Sequence, residues 1–255
     1  MIRCYLPAAG WTEGTAELDE DESKHLVAVM RAKAGDRIGL IDGEGGAGEA
    51  ELVVPNKRHA VIRLLSTERV EPFRPRRILA QALVREQKMD SLIQKAVELG
   101  VHEIWPLQTD HAVAKIRPGE AARKAARWEA IALAACKQSG NPWKPVMAPV
   151  RRLEEALAVL PPGGACFGAL QEGAVPLPEY FGRLREERCE QVTMFIGPEG
   201  DFSPAEVAAL TAAGVQAVTF GPRVFRVETA AVFVLSSLQY AWLESGPGRM
   251  VIPRR

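Results

Sequence analysis

Strand-like and helix-like segments alternate from residue 77 to residue 243, and this alternation constrains the fold more than any other feature of the chain. The apolar run 77–84 is typical of a buried strand. Apolar residues spaced three and four apart then predict a helix that ends at Gly100; they are Met89, Leu92, Ile93, Ala96 and Val97. A helix between two strands favours a parallel sheet covered on both faces.

The same rhythm continues to residue 243. It predicts strands over 101–107, near 146, and over 165–170, 192–196 and 217–220. It predicts helices over 120–139 and 153–160, one beginning after Ser203, and a last one over 228–243. We therefore expect an α/β fold in this part of the chain.

The N-terminal part has another pattern. Residues 36–42, 49–54 and 59–65 alternate apolar and polar side chains, which predicts a small β-meander. Pro72 and Pro75 then interrupt the chain, because proline is tolerated neither inside a helix nor in a central strand. We place a domain boundary there, which gives domains over 1–72 and 73–255.

Composition excludes several classes of protein. With 255 residues, 47% of them hydrophobic, and 32 basic against 32 acidic residues, the chain can bury a large core and is not disordered. Its four cysteines form no C-x-x-C pair, which indicates free thiols in a reducing cytoplasm and no metal site. The longest apolar stretch, 229–243, is shorter than the about 20 residues of a bilayer span, so we expect a cytoplasmic protein without membrane contact.

A glycine-rich segment matches a dinucleotide-binding pattern, but its context favours a turn. Gly43, Gly45 and Gly48 have the spacing G-x-G-x-x-G after a predicted strand. A pyrophosphate site needs a helix directly after the loop, whereas 49–54 alternates like a strand and ends at Pro55. We interpret the segment as a hairpin turn.

Two Gly-Pro loops are the stronger candidates for a site. One begins at Gly197, after a predicted strand, and leads to Ser203, whose spacing from Glu206 predicts a capping box. The other begins at Gly221 and leads to a helix start that carries Arg226 and Glu228. Open α/β sheets bind ligands at the carboxyl ends of their strands. The alternatives are a tight turn for the first loop and a solvated helix end for the charged pair.

Both loops and several other segments carry a resemblance to a known family. The segments are 197–200 followed by Phe-Ser and Glu206, 221 with 225–230, His25-Leu26 with 29–31 and 35–36, 95–101, and 138–140. Their order and spacing resemble the 16S rRNA (uracil-N3) methyltransferases of the SPOUT superfamily.

The resemblance implies a fold, a reaction and partners. It implies an N-terminal PUA-like β-barrel for RNA contact and a C-terminal knotted SPOUT domain, with a trefoil knot in its parallel sheet. It also implies a homodimer that uses S-adenosylmethionine to methylate N3 of one uridine of 16S rRNA, in the decoding-site region of the small ribosomal subunit. The implied cofactor contacts are Leu170, Gln171, Ile196, Gly197, Pro198, Gly200, Phe220, Gly221, Val224, Phe225 and Thr229.

Three residues are candidates for catalysis. Methylation at N3 requires loss of a weakly acidic proton and stabilisation of the charge that develops on the base. We assign Arg226 to stabilising the uridinate. Glu228 either orients Arg226 or accepts the proton, and Glu199 either holds its loop or acts as an alternative base.

Local clusters of basic residues, but not the net charge, are compatible with RNA binding. A net charge of zero is not typical of a nucleic-acid-binding protein, but basic residues cluster over 57–88 and 115–127. For isolated members of these clusters the alternative is solvated surface. The expected RNA contacts are Arg31, Arg74, Arg76, Arg77, Arg85, Lys88, Lys115, Gln138 and Asn141.

Three departures from the family pattern keep competing hypotheses open. Asp201 replaces a usual glycine, and His111 and Asn141 stand where arginine is common. Asp201 and Asn141 keep open, as an alternative, a non-catalytic rRNA-binding protein with a degenerate SPOUT body. A nucleotide-binding metabolic enzyme is a third hypothesis, but the chain lacks a P-loop lysine and an acidic metal cluster.

Overall fold

The computed structural model describes residues 1–11, 14–117 and 119–243, which divide into two compact units. The first unit contains Met1–Pro72 together with Leu133–Lys144. The second contains Phe73–Ala132 and, of the described residues, 145–243. The chain crosses between units at 72–73, but the sequence analysis did not anticipate that 133–144 belongs with the first unit.

A five-stranded sheet forms the first unit. Its order is β1-β3-β4-β5-β2, and only the β1–β3 pair is parallel. The strands are β1 (Arg3–Tyr5), β2 (Thr15–Glu17), β3 (Arg37–Ile41), β4 (Gly46–Val54) and β5 (Val61–Arg69). The short helix α1 (Glu20–Lys24) begins at Asp19, whose side chain accepts a hydrogen bond from the Glu22 amide, and runs into a π-helical turn. Strands β3, β4 and β5 confirm the predicted meander.

The glycine-rich segment is the turn between β3 and β4, as predicted. One carboxylate oxygen of Asp42 accepts hydrogen bonds from the backbone amides of Glu44 and Gly46, both at 2.7 Å. The β4 strand begins at Gly46, where a dinucleotide fold would begin a helix. The turn is therefore closed by its own aspartate.

Residues 133–144 join the first unit through buried polar and aromatic contacts. The Lys137 ammonium forms an ion pair with Glu22, whose side chain is only 6% exposed. The Trp143 indole donates a hydrogen bond to the Val70 carbonyl at 3.0 Å, and the Arg69 guanidinium lies over the same ring. Sequence periodicity predicts a helix over 120–139, but it does not show that the last residues of this helix belong with the first unit.

The second unit is a parallel sheet in which most successive strands are joined by a helix, as predicted. The strand order is β11-β13-β10-β12-β6-β7-β8, with β9 also paired to β7, and every recorded pair is parallel. The elements are β6 (Arg76–Ala82), α2 (Glu86–Glu98), β7 (Glu103–Gln108), α3 (Ala121–Ser139), β8 (Val146–Met147), β9 (Arg151–Arg152), α4 (Leu153–Ala158), β10 (Gly164–Gly168), β11 (Val175–Pro176), α5 (Leu177–Glu186), β12 (Gln191–Ile196), α6 (Pro204–Ala212), β13 (Gln216–Thr219) and α7 (Val227–Leu243).

The sheet order brings three loops to one edge. Strand β10 lies between β12 and β13, so their carboxyl ends are neighbours. Phe167 of β10 and Phe195 of β12 are fully buried between the strands and the helices and hold this part of the sheet. All five apolar residues predicted for the inner face of α2 are buried. The trefoil knot stays a prediction.

No helix in the described part of the chain is long and apolar enough to cross a membrane.

Candidate active site

A cavity of about 400 Å³ lies at the carboxyl ends of β10, β12 and β13. Small-molecule sites have volumes of roughly this size. The lining residues are Lys88, Gly168, Ala169, Leu170, Ile196, Gly197, Pro198, Glu199, Asp201, Phe220, Arg223, Val224, Phe225, Arg226, Val227 and Ala230. Both Gly-Pro loops that the sequence singled out contribute to it.

The loop after β12 is held at its far end by the predicted capping box. The Glu206 amide donates to the Ser203 hydroxyl at 3.3 Å, and the Ser203 amide donates to the Glu206 carboxylate at 2.8 Å. Within the loop, Asp201 has a φ of 61°, a left-handed conformation that costs an L-residue energy. The helix start is thus well defined, while the loop carries local strain.

The loop after β13 supplies an apolar wall. The rings of Phe220 and Phe225 stack with centroids 6.3 Å apart, and both pack against Phe233 of α7. Gly221 has a φ of 108°, which a residue with a Cβ rarely adopts. On the rim, Val224 is 77% exposed and Leu170 is 62% exposed. The stacked rings preform a flat apolar surface inside the cavity.

A lysine joins two carboxylates at the cavity. The Lys88 ammonium, in the first turn of α2, lies 3.0 Å from Glu199 and 3.5 Å from Glu228. The hydrogen bond with Glu199 raises the pKa of Lys88. Burial alone would raise the pKa of Glu199, but hydrogen bonds from its own backbone and from Lys88 outweigh burial and lower it. The pair is charged at neutral pH and ties the β12 loop to α2.

The guanidinium of Arg226 is available to a ligand. Arg226 is exposed and lines the cavity. No hydrogen bond or ion pair joins its side chain to another residue of the described chain, and in particular none joins it to Glu228. Glu228 contacts Lys88 instead, so the structure does not show the arrangement in which Glu228 orients Arg226.

Most of the expected cofactor contacts meet at the cavity. Among its lining residues are Leu170, Ile196, Gly197, Pro198, Phe220, Val224 and Phe225. The other expected contacts lie in the same loops or in the first turn of α7 without lining the cavity; they are Gln171, Gly200, Gly221 and Thr229. Lys88 was not predicted as a cavity residue; it lies in the first turn of α2, and no sequence pattern shows that the preceding strand β6 pairs with β12.

One of the expected RNA contacts is wrong. Arg77 is only 1% exposed, its guanidinium donates to the Leu99 carbonyl at 2.6 Å, and it packs 4.9 Å over the Phe73 ring. Burial lowers the pKa of Arg77 to about 10. A side chain in this position supports packing and does not reach a phosphate.

The remaining expected RNA contacts differ in their surroundings. Arg76 forms an ion pair with Glu103, and the Asn141 side-chain oxygen accepts a hydrogen bond from the Trp143 amide at 3.0 Å. Besides Arg76, the exposed members are Arg31, Arg74, Arg85, Lys115 and Gln138.

Comparisons with known proteins identify relatives of the chain. The family described as RNA methyltransferase domain matches residues 72–239, and the RNA methyltransferase PUA domain matches residues 18–65. Proteins named ribosomal RNA small subunit methyltransferase E are similar over most of the chain. The Bacillus subtilis protein is 29% identical, covering 89% of this chain and 90% of its own length. The Mycobacterium bovis protein is 30% identical, covering 92% and 89%.

A solved structure shows the same fold. Ribosomal RNA small subunit methyltransferase E from Neisseria gonorrhoeae, bound to S-adenosyl methionine, superposes with a TM-score of 0.85 at 31% identity. The match covers 95% of this chain and 98% of that one. With a PUA-type N-terminal part and a parallel α/β sheet that forms a cavity from both loops of the sequence pattern, the chain belongs to the RNA methyltransferase family.

Proposed function

We propose that the protein transfers the methyl group of S-adenosylmethionine to N3 of a uridine in the decoding-site region of 16S rRNA. The cavity at the ends of β10, β12 and β13 carries this proposal, because both family loops contribute to it. Support comes from relatives named for the small-subunit ribosomal RNA and from the neighbour that binds S-adenosyl methionine. Because the proposed substrate is ribosomal RNA, we expect the protein to act in the cytoplasm.

The residues at the cavity fit the proposed methyl donor. The stacked rings of Phe220 and Phe225 offer a flat apolar surface for an adenine base. The carboxylates of Glu199 and Glu228 complement a cationic ligand. The two carboxylates share the single ammonium of Lys88, so the three groups together keep one negative charge. When bound, the donor supplies an electrophilic methyl group.

The chain's own residues would prepare the uridine. Arg226 has no other partner in the described chain and donates to the base oxygens on which negative charge develops. Glu228 accepts the N3 proton, so that the nitrogen keeps the electron pair that forms the new bond. Glu199 is a weaker base because its pKa is lowered, and its role is to hold the loop with Lys88.

Two partners complete the proposal. Exposed apolar side chains favour a homodimer, since a monomer would leave them in water; Leu170 and Val224 lie on the rim of the cavity, and Phe233, Tyr240 and Leu243 lie along α7. Exposed basic side chains would contact RNA phosphates; in the second unit these are Arg74, Arg85 and Lys115, and in the first unit Arg31. The target base has to leave its stack to enter the cavity.

The test is transfer of an isotopically labelled methyl group from S-adenosylmethionine to small ribosomal subunits that lack the modification. Nucleoside mass spectrometry should find label in N3-methyluridine. Absence of transfer and of donor binding, under conditions in which RNA still binds, would overturn the proposal and favour the non-catalytic RNA-binding alternative.

A further inference from the structure

The loop after β7 contacts the β12 loop through residues that do not line the cavity. Strand β6 separates β7 from β12 in the sheet. Nevertheless Asp110 and His111 contact residues 200–206, and neither lines the cavity. These two residues therefore contact the wall of the cavity without contacting its interior.

Asp110 closes a ring of hydrogen bonds around the start of α6. Its carboxylate accepts a hydrogen bond from the Ser203 hydroxyl at 2.7 Å, and its amide donates to one oxygen of Glu206 at 3.0 Å. The other Glu206 oxygen accepts from the Ser203 amide. Ser203 and Glu206 are 7% and 5% exposed. Since a buried polar group without a partner is costly, this ring favours a single arrangement of the loop end.

His111 holds the strained part of the same loop. Its Nδ1 lies 3.0 Å from the Gly200 carbonyl oxygen and 3.1 Å from that of Asp201. Both carbonyls are acceptors, so Nδ1 carries the proton and donates. A Cβ on Gly200 would lie 3.2 Å from the His111 Cβ, so the two backbones approach closely at this point. The backbone of Asp201 has its left-handed φ at the point where His111 binds it.

We propose that Asp110 and His111 are positioning residues, which fix the β12 loop in the conformation that binds the methyl donor. The proposal rests on the proposed function, because it assumes that the donor occupies this cavity. Asp201 and Glu199 reach the cavity from a loop whose backbone His111 holds. We call the contacts of Asp110 and His111 with residues 200–206 the clamp. Without the clamp, the β12 loop would sample other conformations, and the donor would bind only the fraction of molecules whose loop is in the competent one.

Donor binding without RNA tests the clamp separately from catalysis. Calorimetric titration with S-adenosylmethionine should give His111→Ala and Asp110→Ala a donor Kd raised about tenfold, the effect of losing one or two hydrogen bonds. His111→Asn and Asp110→Asn should recover most of the affinity, because each keeps a donor or acceptor near the original atom. Val113→Ala, an exposed site on the same loop, is the matched control.

Two further measurements separate positioning from general loss of structure. Hydrogen exchange of the amides over 200–203 should accelerate in the alanine variants, while the exchange of β6 and β12 stays as in the parent protein. At saturating donor, kcat should stay within about twofold of the parent value, because an interaction made equally in ground and transition states affects KM alone.

Each outcome bears on one proposal. If the parent protein binds no donor, the proposed function fails. If the parent protein binds donor and both alanine variants bind it with the same Kd, the proposed clamp does not exist. A third outcome would assign Asp110 and His111 to folding alone and also overturn the clamp. In that case the Kd rises and thermal stability falls, but exchange in the loop changes no more than in the rest of the chain and asparagine restores nothing.

Discussion

The ammonium nitrogen of Lys88 lies 3.0 Å from a carboxylate oxygen of Glu199, in a lysine that the sequence analysis assigned to RNA. Glu228 shares the same nitrogen at 3.5 Å. The positive charge of Lys88 is therefore neutralised within the protein by two carboxylates, and it attracts an RNA phosphate only weakly.

Lys88→Met should therefore impair methyl transfer without changing how RNA binding depends on salt. The two carboxylates lose their shared cation, the pKa of Glu199 rises, and the β12 loop is no longer tied to α2. Lys95→Met on the same helix, where Lys95 pairs with Glu98, is the control. A salt dependence reduced by about one phosphate contact would return Lys88 to the RNA-binding set.

Arg226→Ala should lower the rate of methyl transfer about 10²–10³-fold, the usual effect of removing a group that stabilises developing charge. Donor affinity should change little, because the proposed role of Arg226 is toward the base. Single-turnover transfer and calorimetric donor binding measure the two quantities. Arg152→Ala, whose partner is the exposed Glu154, serves as control. Equal losses of rate and donor affinity would contradict the role given to Arg226.

Asp201→Gly should give a more stable protein than Asp201→Ala, by about 1 kcal/mol in the free energy of unfolding. Both variants lose the carboxylate and its hydrogen bond with the Phe202 amide, so only the backbone preference at φ 61° distinguishes them. Urea denaturation measures the difference. Equal stability would mean that the loop relaxes out of the left-handed conformation.

Arg77→Ala should lower the free energy of unfolding by about 2–4 kcal/mol, because it leaves the Leu99 carbonyl without its donor and opens space beside Phe73. Arg74→Ala, an exposed site, should leave stability unchanged and weaken RNA binding. Denaturant titrations and RNA binding at several salt concentrations compare the two. Loss of RNA affinity in a stably folded Arg77→Ala protein would contradict the buried role.

Acid should destabilise the second unit through His102. Burial, and then the nearby charges of Arg77 and Arg76, lowers the pKa of His102 from 6.5 to about 4. The unfolded chain binds a proton at the higher pH, so the free energy of unfolding falls by up to about 3 kcal/mol as pH drops from 6.5 to 4. His102→Asn, which keeps an acceptor for the Arg77 amide, should flatten this part of the stability profile. An unchanged profile would show that other groups cause it.

Sequence periodicity predicted the parallel sheet because buried strands and amphipathic helices differ in period. It also predicted the cavity loops, since Gly197 and Gly221 end strands whose carboxyl ends share an edge. Helix α5 was missed, although Leu177, Tyr180, Phe181 and Leu184 have helical spacing and are buried. The strand before it, β11, has only two residues and contains Pro176, so no strand-helix alternation is visible in this part of the sequence.

Contacts between distant segments were beyond reach of the sequence. Nothing local in Arg77 distinguishes it from its exposed neighbours Arg74 and Arg76, because its burial depends on Phe73 and on the end of α2. In the same way, the contact of His111 with Gly200 depends on how two loops from non-adjacent strands meet. The spacing of apolar and polar residues describes one segment at a time, so it does not predict contacts between residues that are far apart in the sequence.

The order of strands also determines when the cavity can exist during synthesis. Strand β12 pairs in register with β6, from Gln191 opposite Arg76 to Ile196 opposite Gln81, so the sheet closes only after a long intervening stretch has been made. Pairings of such sequence separation are slow to form. Because β13 and the start of α7 complete the lining, a nascent chain that ends before them has no binding site. A ligand of this cavity therefore cannot bind before β13 and the start of α7 have been made, and it cannot assist the earlier steps of folding.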